Sequence, residues 1–360
     1  MKSKTLVAAA LGATAMIISL TACSGGTAGG GSTGGGEAAS SGTIAFLMPD
    51  LASTRYEQQD APLFKEKVAE LCPDCTVNYQ NAAGDPSTQQ EQAEAAIADG
   101  AQVIVLDAVD TKAAAAIVQN AQSQGIKVVT YDRPIVDIAA DFYVSFDNEA
   151  IGYAIAESVL TQLDADGATG GVLQVNGSPT DNAAGLIRDG VDKAIQENGR
   201  ELLAAYDTPA WDPQKAQDWV SGQIAEFSNQ IVGVIAANDG TAGGSIAALT
   251  ADGVTPLPLV SGNDAEVAAI QRIVSGSQFN TISKPIATVA GAAADVAVQL
   301  LNGETPTADT TLFDTPAQLF EPTVVTKENV KEVIFDGGIY TADQICTAEY
   351  AAACTELGIQ

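Results

Sequence analysis

From Thr43 onward, short β-rich apolar runs alternate with longer Ala-rich segments. The apolar runs predict strands at 43–48, 76–79, 102–106, 126–130 and 142–145. Helices are predicted between them at 55–71, 86–99 and 111–124. A second series has helices at 149–163, 181–198, 213–227 and 241–252, and strands at 171–175, 202–206, 231–236 and 257–261. Gly100, Gly125, Gly199 and Gly253 fall where these helices end, a position that favours the left-handed conformation open to glycine. Strands separated by helices of this length imply parallel sheets covered on both faces, and two series imply two sheets. In such sheets ligands bind beyond the carboxyl ends of the strands. Asp50, Asp107, Asp110 and the pair Asp132-Arg133 lie at those ends in the first series. Asn176 to Asn182, Asn238-Asp239 and Asn263-Asp264 lie there in the second. Two polar mouths of this kind predict a ligand cleft between two domains.

The chain begins differently. Lys2 and Lys4 precede an apolar run from Leu6 to Leu20, which ends in Leu-Thr-Ala-Cys at Cys23. A basic head, a short apolar stretch and small residues before a cleavage point predict a signal peptide over 1–22. The run is shorter than the ~20 residues that span a bilayer. Leu-Thr-Ala-Cys resembles a lipobox, which implies lipidation of Cys23 and a lipid anchor on the outer face of the membrane. The Gly/Ser-rich stretch that follows, within 23–42, buries too little apolar surface to order itself and reads as a flexible tether.

Charge and residue usage narrow the chemistry. With 16 basic and 45 acidic residues the formal charge is −29, which leaves nucleic acid no electrostatic support as a partner. The absence of His removes the commonest general base and zinc ligand, and no metal-ligand spacing or cofactor motif is present. After Cys23, four cysteines remain: Cys72, Cys75, Cys346 and Cys354. An even number in an exported chain favours disulfides. Of the three possible pairings the two local ones, Cys72–Cys75 and Cys346–Cys354, are preferred. Cys72-Pro73-Asp74-Cys75 also has thioredoxin-like spacing, but it follows a predicted helix instead of opening one, which favours a structural staple.

Six segments carry a family likeness: Asp132-Arg133-Pro134-Ile135, the run from Phe142 to Glu149, the run from Gly177 to Asn182, the run from Asn238 to Gly244, the run from Ser261 to Ala265, and Lys284-Pro285-Ile286. In this order they resemble the sugar-binding periplasmic binding proteins of the ribose/galactose/xylose (type I) class, most closely its xylose-binding members. The resemblance implies an α/β fold of two doubly wound parallel-sheet domains joined by a three-segment hinge. Its crossovers would fall near Asp147–Asn148, Ser283–Lys284 and Thr315–Phe320. One lobe would comprise 43–147 and 284–316, the other 148–283 and 317–345, with 346–360 as a C-terminal tail. A monosaccharide, xylose or another pyranose, would be held by Arg55, Tyr56, Asp132, Arg133, Asn182, Trp211, Asn238, Asp264 and Lys284, with Asp181 a further candidate. Trp211 would stack on the sugar. Tyr56 stands where the xylose-binding members carry Trp, so the second stacking face would be smaller. The resemblance also implies a monomer that delivers its sugar to ABC transporter permease subunits and is not an enzyme.

Rival readings differ in class. Sugar-responsive repressors share the fold but lack a lipobox. A receptor for a nucleoside or a signalling furanose would share the architecture with a different cleft. A surface thiol-disulfide oxidoreductase would use Cys72 and Cys75. A sensory role beside transport is compatible with the same sugar site.

Overall fold

A computed structural model describes residues 41–359. The expected signal peptide, Cys23 and all but the end of the tether lie outside them. Strand β1 (Thr43–Met48) buries five of its six side chains, as a strand covered on both faces must. It is followed by α1 (Ala61–Leu71), β2 (Thr76–Asn81), α2 (Pro86–Ala98), β3 (Val103–Leu106), α3 (Ala115–Ser123), β4 (Lys127–Tyr131) and β5 (Phe142–Phe146). These five strands are parallel; β1 lies between β2 and β3, and β4 and β5 continue outward from β3. The predicted helix at 55–71 is divided: Tyr56–Asp60 form a wide π-type turn before α1. Pro62 sits in the first turn of α1 and has no N–H to donate back into the preceding turn, which sets the division.

The second series runs α4 (Asn148–Ala165), β6 (Gly171–Asn176), α5 (Asn182–Asn198), β7 (Leu202–Asp207), α6 (Pro213–Phe227), β8 (Ile231–Ala236), α7 (Asp239–Ala251), β9 (Leu259–Val260), α8 (Val267–Ser275) and β10 (Asn280–Ser283). Strands β7, β6, β8 and β9 form a parallel sheet in that order. Strand β10 follows on from it, the Phe279 N–H donating to the Val260 carbonyl at 2.9 Å. Helix α5 ends at Gly199, whose φ of +80° closes the helix.

The chain then returns to the first sheet. Helix α9 (Ile286–Leu301) packs on α1 and strands β3, β4 and β5. Strand β11 (Thr310–Leu312) forms an antiparallel hairpin with β12 (Thr315–Phe320), and β12 lies parallel to β5, completing a seven-stranded sheet. Strand β13 (Thr323–Thr326) pairs antiparallel with β10 beside the second sheet. Residues 317–320 were expected in the second lobe and 315–320 as the third crossover. Both expectations are corrected: β12 belongs to the first sheet, and the chain leaves it only after Phe320. "First lobe" below means the seven-stranded sheet with its helices, and "second lobe" the remainder.

After β13, a turn at Lys331–Asp336 and helices α10 (Ala342–Ile345) and α11 (Ala351–Glu356) pack on α8 around Ile334, Ile345 and Cys354. Disulfides join Cys72 to Cys75 and Cys346 to Cys354, the two local pairings. Among the described residues no helix is long and apolar enough to cross a membrane.

A charged ligand cleft between two sheets

The strand ends converge on one cavity, whose empty volume, mouth included, is about 420 Å³. Eight of the nine expected contact residues line it: Arg55, Tyr56, Asp132, Arg133, Trp211, Asn238, Asp264 and Lys284. Asn182 does not. As the first residue of α5 it faces away, and its side-chain amide donates to the Pro134 carbonyl at 3.0 Å. Its neighbour Asp181 lines the cavity instead.

Two carboxylates face each other across the lobes. Asp132 directly follows β4 with φ +60°, and its carbonyl accepts from the Tyr143 and Ser145 hydroxyls, each at 2.9 Å. Those two bonds hold a left-handed backbone that costs a non-glycine residue energy. Asp264 has φ +104°, and its N–H donates to the Ile282 carbonyl at 3.2 Å. Two cations alternate with the carboxylates. Arg55 lies 3.3 Å from Asp132 and 3.4 Å from Asp264. Lys284 Nζ lies 2.6 Å from Asp264 and 4.0 Å from Asp132. The Arg55 guanidinium is fixed from behind by Asp60, which accepts from its Nε and Nη2 and also from the Tyr131 hydroxyl.

A second cluster surrounds Arg133. Its Nη2 donates to Asp50 at 2.9 Å and to the Tyr56 hydroxyl at 3.0 Å, and its Nη1 donates to the Ala108 carbonyl. Its Nε lies 3.3 Å from Asp107 and 3.1 Å from Asp181. Asp181 caps α5 through the Ala183 N–H and accepts from the Trp211 indole N–H at 3.0 Å. That bond orients the indole, which packs so closely over Gly177 that a Cβ there would overlap the ring. The Tyr56 ring is flanked by the guanidinium carbons of Arg55 and Arg133, at 5.1 and 5.9 Å from its centroid. Trp219, by contrast, stacks on Tyr206 with ring centroids 5.3 Å apart.

These contacts set the ionisation of the site. Burial works to raise the Asp132 carboxyl, but Arg55, Lys284 and Arg133 outweigh it and hold it at about 2. Burial, helped by Asp132, raises Asp181 against the pull of Arg133. Burial also drives Asp107 well above the usual carboxylate range, with Arg133 opposing.

The lobes are bonded to one another around the cavity. The Glu266 carboxylate accepts from the Ser53 hydroxyl at 2.9 Å and the Thr54 N–H at 3.0 Å. The Thr111 N–H donates to the Thr180 carbonyl at 3.0 Å, and the Gln59 amide donates to the Tyr340 hydroxyl at 2.8 Å. This is a closed cleft. Asn263, at a strand end where a polar mouth was expected, also lines it, as do Ser53, Asn148, Ala183 and Ile187, which no sequence pattern distinguished as contacts. Among the described residues no cluster of His, Cys, Asp or Glu is arranged to hold a metal ion.

Two mainly parallel α/β sheets, three crossings between them and a charged cleft at their carboxyl ends define a type I periplasmic binding protein. Residues 44–305 match the periplasmic binding protein domain, and the chain belongs to that family of extracytoplasmic substrate-binding proteins, which are not enzymes. It is 35% identical over 310 residues to the D-xylose-binding periplasmic protein of Escherichia coli (strain K12), covering 84% of this chain and 92% of that one. It is 30% identical over 333 residues to the multiple sugar-binding periplasmic receptor ChvE of Rhizobium radiobacter, covering 86% and 93%. A solved ABC transporter solute binding protein from Clostridium phytofermentans, with bound β-D-glucose, superposes with a TM-score of 0.78 at 28% identity, covering 84% and 99%.

Proposed function

We propose that this protein is the lipid-anchored, sugar-capturing subunit of an ABC importer, and that it closes on a pyranose, xylose or glucose, between its lobes. The observation that carries the reading is the ring of Asp132, Arg55, Asp264 and Lys284, drawn from both sides of the cleft beside the anchored indole of Trp211. Sugar hydroxyls donate and accept at once, so alternating carboxylates and cations can each serve them with charge-assisted bonds. Such bonds are worth about 1.5–3 kcal/mol each, and a micromolar site needs only about 8 kcal/mol in total. The apolar CH face of the ring suits Trp211. Tyr56, engaged by two guanidiniums, would then act as a partner of those cations more than as a stacking surface. The names of the relatives support xylose or a broader set of sugars, and the glucose-bound neighbour supports a hexose as well. Opening by hinge motion would admit the sugar, and the closed form would present both lobes to a permease.

The test is thermal unfolding of the protein, freed of co-purified ligand by refolding, against a panel of pentoses, hexoses and nucleosides. A sugar at 100 times its Kd should add about 2.7 kcal/mol to stability, a readily measured rise in Tm. Asp264→Asn, which keeps the shape and removes the charge between Arg55 and Lys284, should abolish most of that rise. A rise with a nucleoside and none with any sugar would refute the ligand assignment.

A further inference from the structure

Asn263 follows β9 and immediately precedes Asp264, and only 2% of it is exposed. It lines the cavity, yet its side-chain Oδ1 is buried without a hydrogen-bond partner in the protein. The backbone around it is held in place. Its carbonyl accepts the Asp239 N–H at 2.9 Å, the Gly262 N–H donates to Asn280 Oδ1 at 3.3 Å, and the Asp264 N–H donates to Ile282. A buried acceptor left unmet is destabilising, so such a group points to something that meets it.

Several other acceptors around the cavity already have protein partners. Asp50 takes the Ala52 N–H and Arg133, and Asp181 takes the Ala183 N–H and the Trp211 indole. Asn238 Oδ1 accepts the Thr241 N–H in the cap of α7. Asp132 and Asp264 share Arg55 and Lys284. Asn263 therefore offers the cavity an uncommitted, uncharged acceptor.

We propose that Asn263 is a specificity-determining residue that accepts a hydrogen bond from one sugar hydroxyl, and that a sugar lacking that hydroxyl is rejected. The inference rests on the sugar reading of the cleft. A site that supplies a buried polar group rejects the analogue without its partner far more strongly than an apolar pocket rejects a changed shape.

The experiment compares the full-length chain with Asn263→Leu, which has similar volume and no acceptor. Sugar-free Tm is measured by calorimetry. Affinity is measured by titration with D-xylose, D-glucose and each of their monodeoxy analogues. The expected result is a sugar-free Tm equal to or above that of the parent, with Kd raised about tenfold or more for the parent sugar. One deoxy analogue should lose affinity in the parent chain but lose little more in the variant, since both changes remove the same bond. A lowered Tm with Kd within twofold of the parent would make Asn263 structural and overturn the proposal. Should Asn263→Leu fail to fold, Asn263→Ser withdraws the acceptor with less bulk and is read the same way. If the parent chain binds none of the sugars, the sugar reading falls and takes this inference with it. If it binds and every deoxy analogue behaves alike in both proteins, this inference alone falls.

Discussion

Asp132 and Arg133 are adjacent in sequence but serve different clusters. The left-handed backbone at Asp132 turns its carboxylate toward Arg55 and Lys284, while Arg133 reaches back to Asp50, Asp107 and Asp181. The pair was legible as polar residues of the cavity; their division was not, because it depends on a φ of +60° held by Tyr143 and Ser145. The Asp132 carboxyl is held at about 2 because three cations outweigh its burial. An unfolded Asp titrates near 3.9, so the folded value is depressed. Its stabilisation is complete above about pH 4 and is lost as pH falls from about 4 to about 2, roughly 2–3 kcal/mol in all. Asp132→Asn should flatten that limb: urea unfolding at pH 5, 4, 3 and 2.5 should show a steeper loss for the parent than for the variant. Equal slopes would mean that the cations do not favour the charged form.

At the scale of elements, regular strands and helices were largely readable because burial on both faces makes short apolar runs and because glycine closes the helices. The misread elements have local causes. Pro62 breaks the first helix into a turn and a helix. Pro316, within Thr-Pro-Ala-Gln-Leu-Phe, weakens the strand reading of β12; its pairing with β5 begins only after it, at Ala317. Residues 181 and 182 straddle the start of α5, so the cap, Asp181, faces the cavity and Asn182 clasps Pro134. Helices α4 and α5 pack unusually closely. A Cβ on Gly152 would overlap the Ile187 carbonyl, and one on Gly190 would overlap the carbonyl of Glu149. Gly190→Ala should therefore destabilise the fold by about 1–3 kcal/mol despite the better helix propensity of alanine, because backbone must move. Chemical denaturation would measure it, and a stabilised variant would show that the helices part without strain.

For the molecule as a whole, the chain crosses between the sheets at Asp147, between β10 and α9, and after Phe320. A ligand bonded to both lobes adds to Glu266–Ser53 and Thr111–Thr180 in holding the closed cleft. The acidic surface, at a formal charge of −29, suits an exported protein. The proposed lipid anchor belongs to this scale too. Cys23→Ser should shift the protein from the membrane fraction to the soluble fraction of the producing cells, read by fractionation and immunoblot. An unchanged distribution would reject lipidation at Cys23.

The sequence by itself determined the class of fold, the ends of most elements, a preference for the two local disulfide pairings and the polar residues of the strand ends. Each of these follows from short-range patterning or from motif. Only the tertiary structure decided which lobe owns β12, which of Asp181 and Asn182 meets the cavity, and how four charges from distant segments alternate around it. It alone left the Asn263 acceptor buried and unpartnered. Those outcomes depend on contacts between residues far apart in the chain, such as Arg55 with Asp264 and Asp132 with Lys284, and no local pattern encodes such distances.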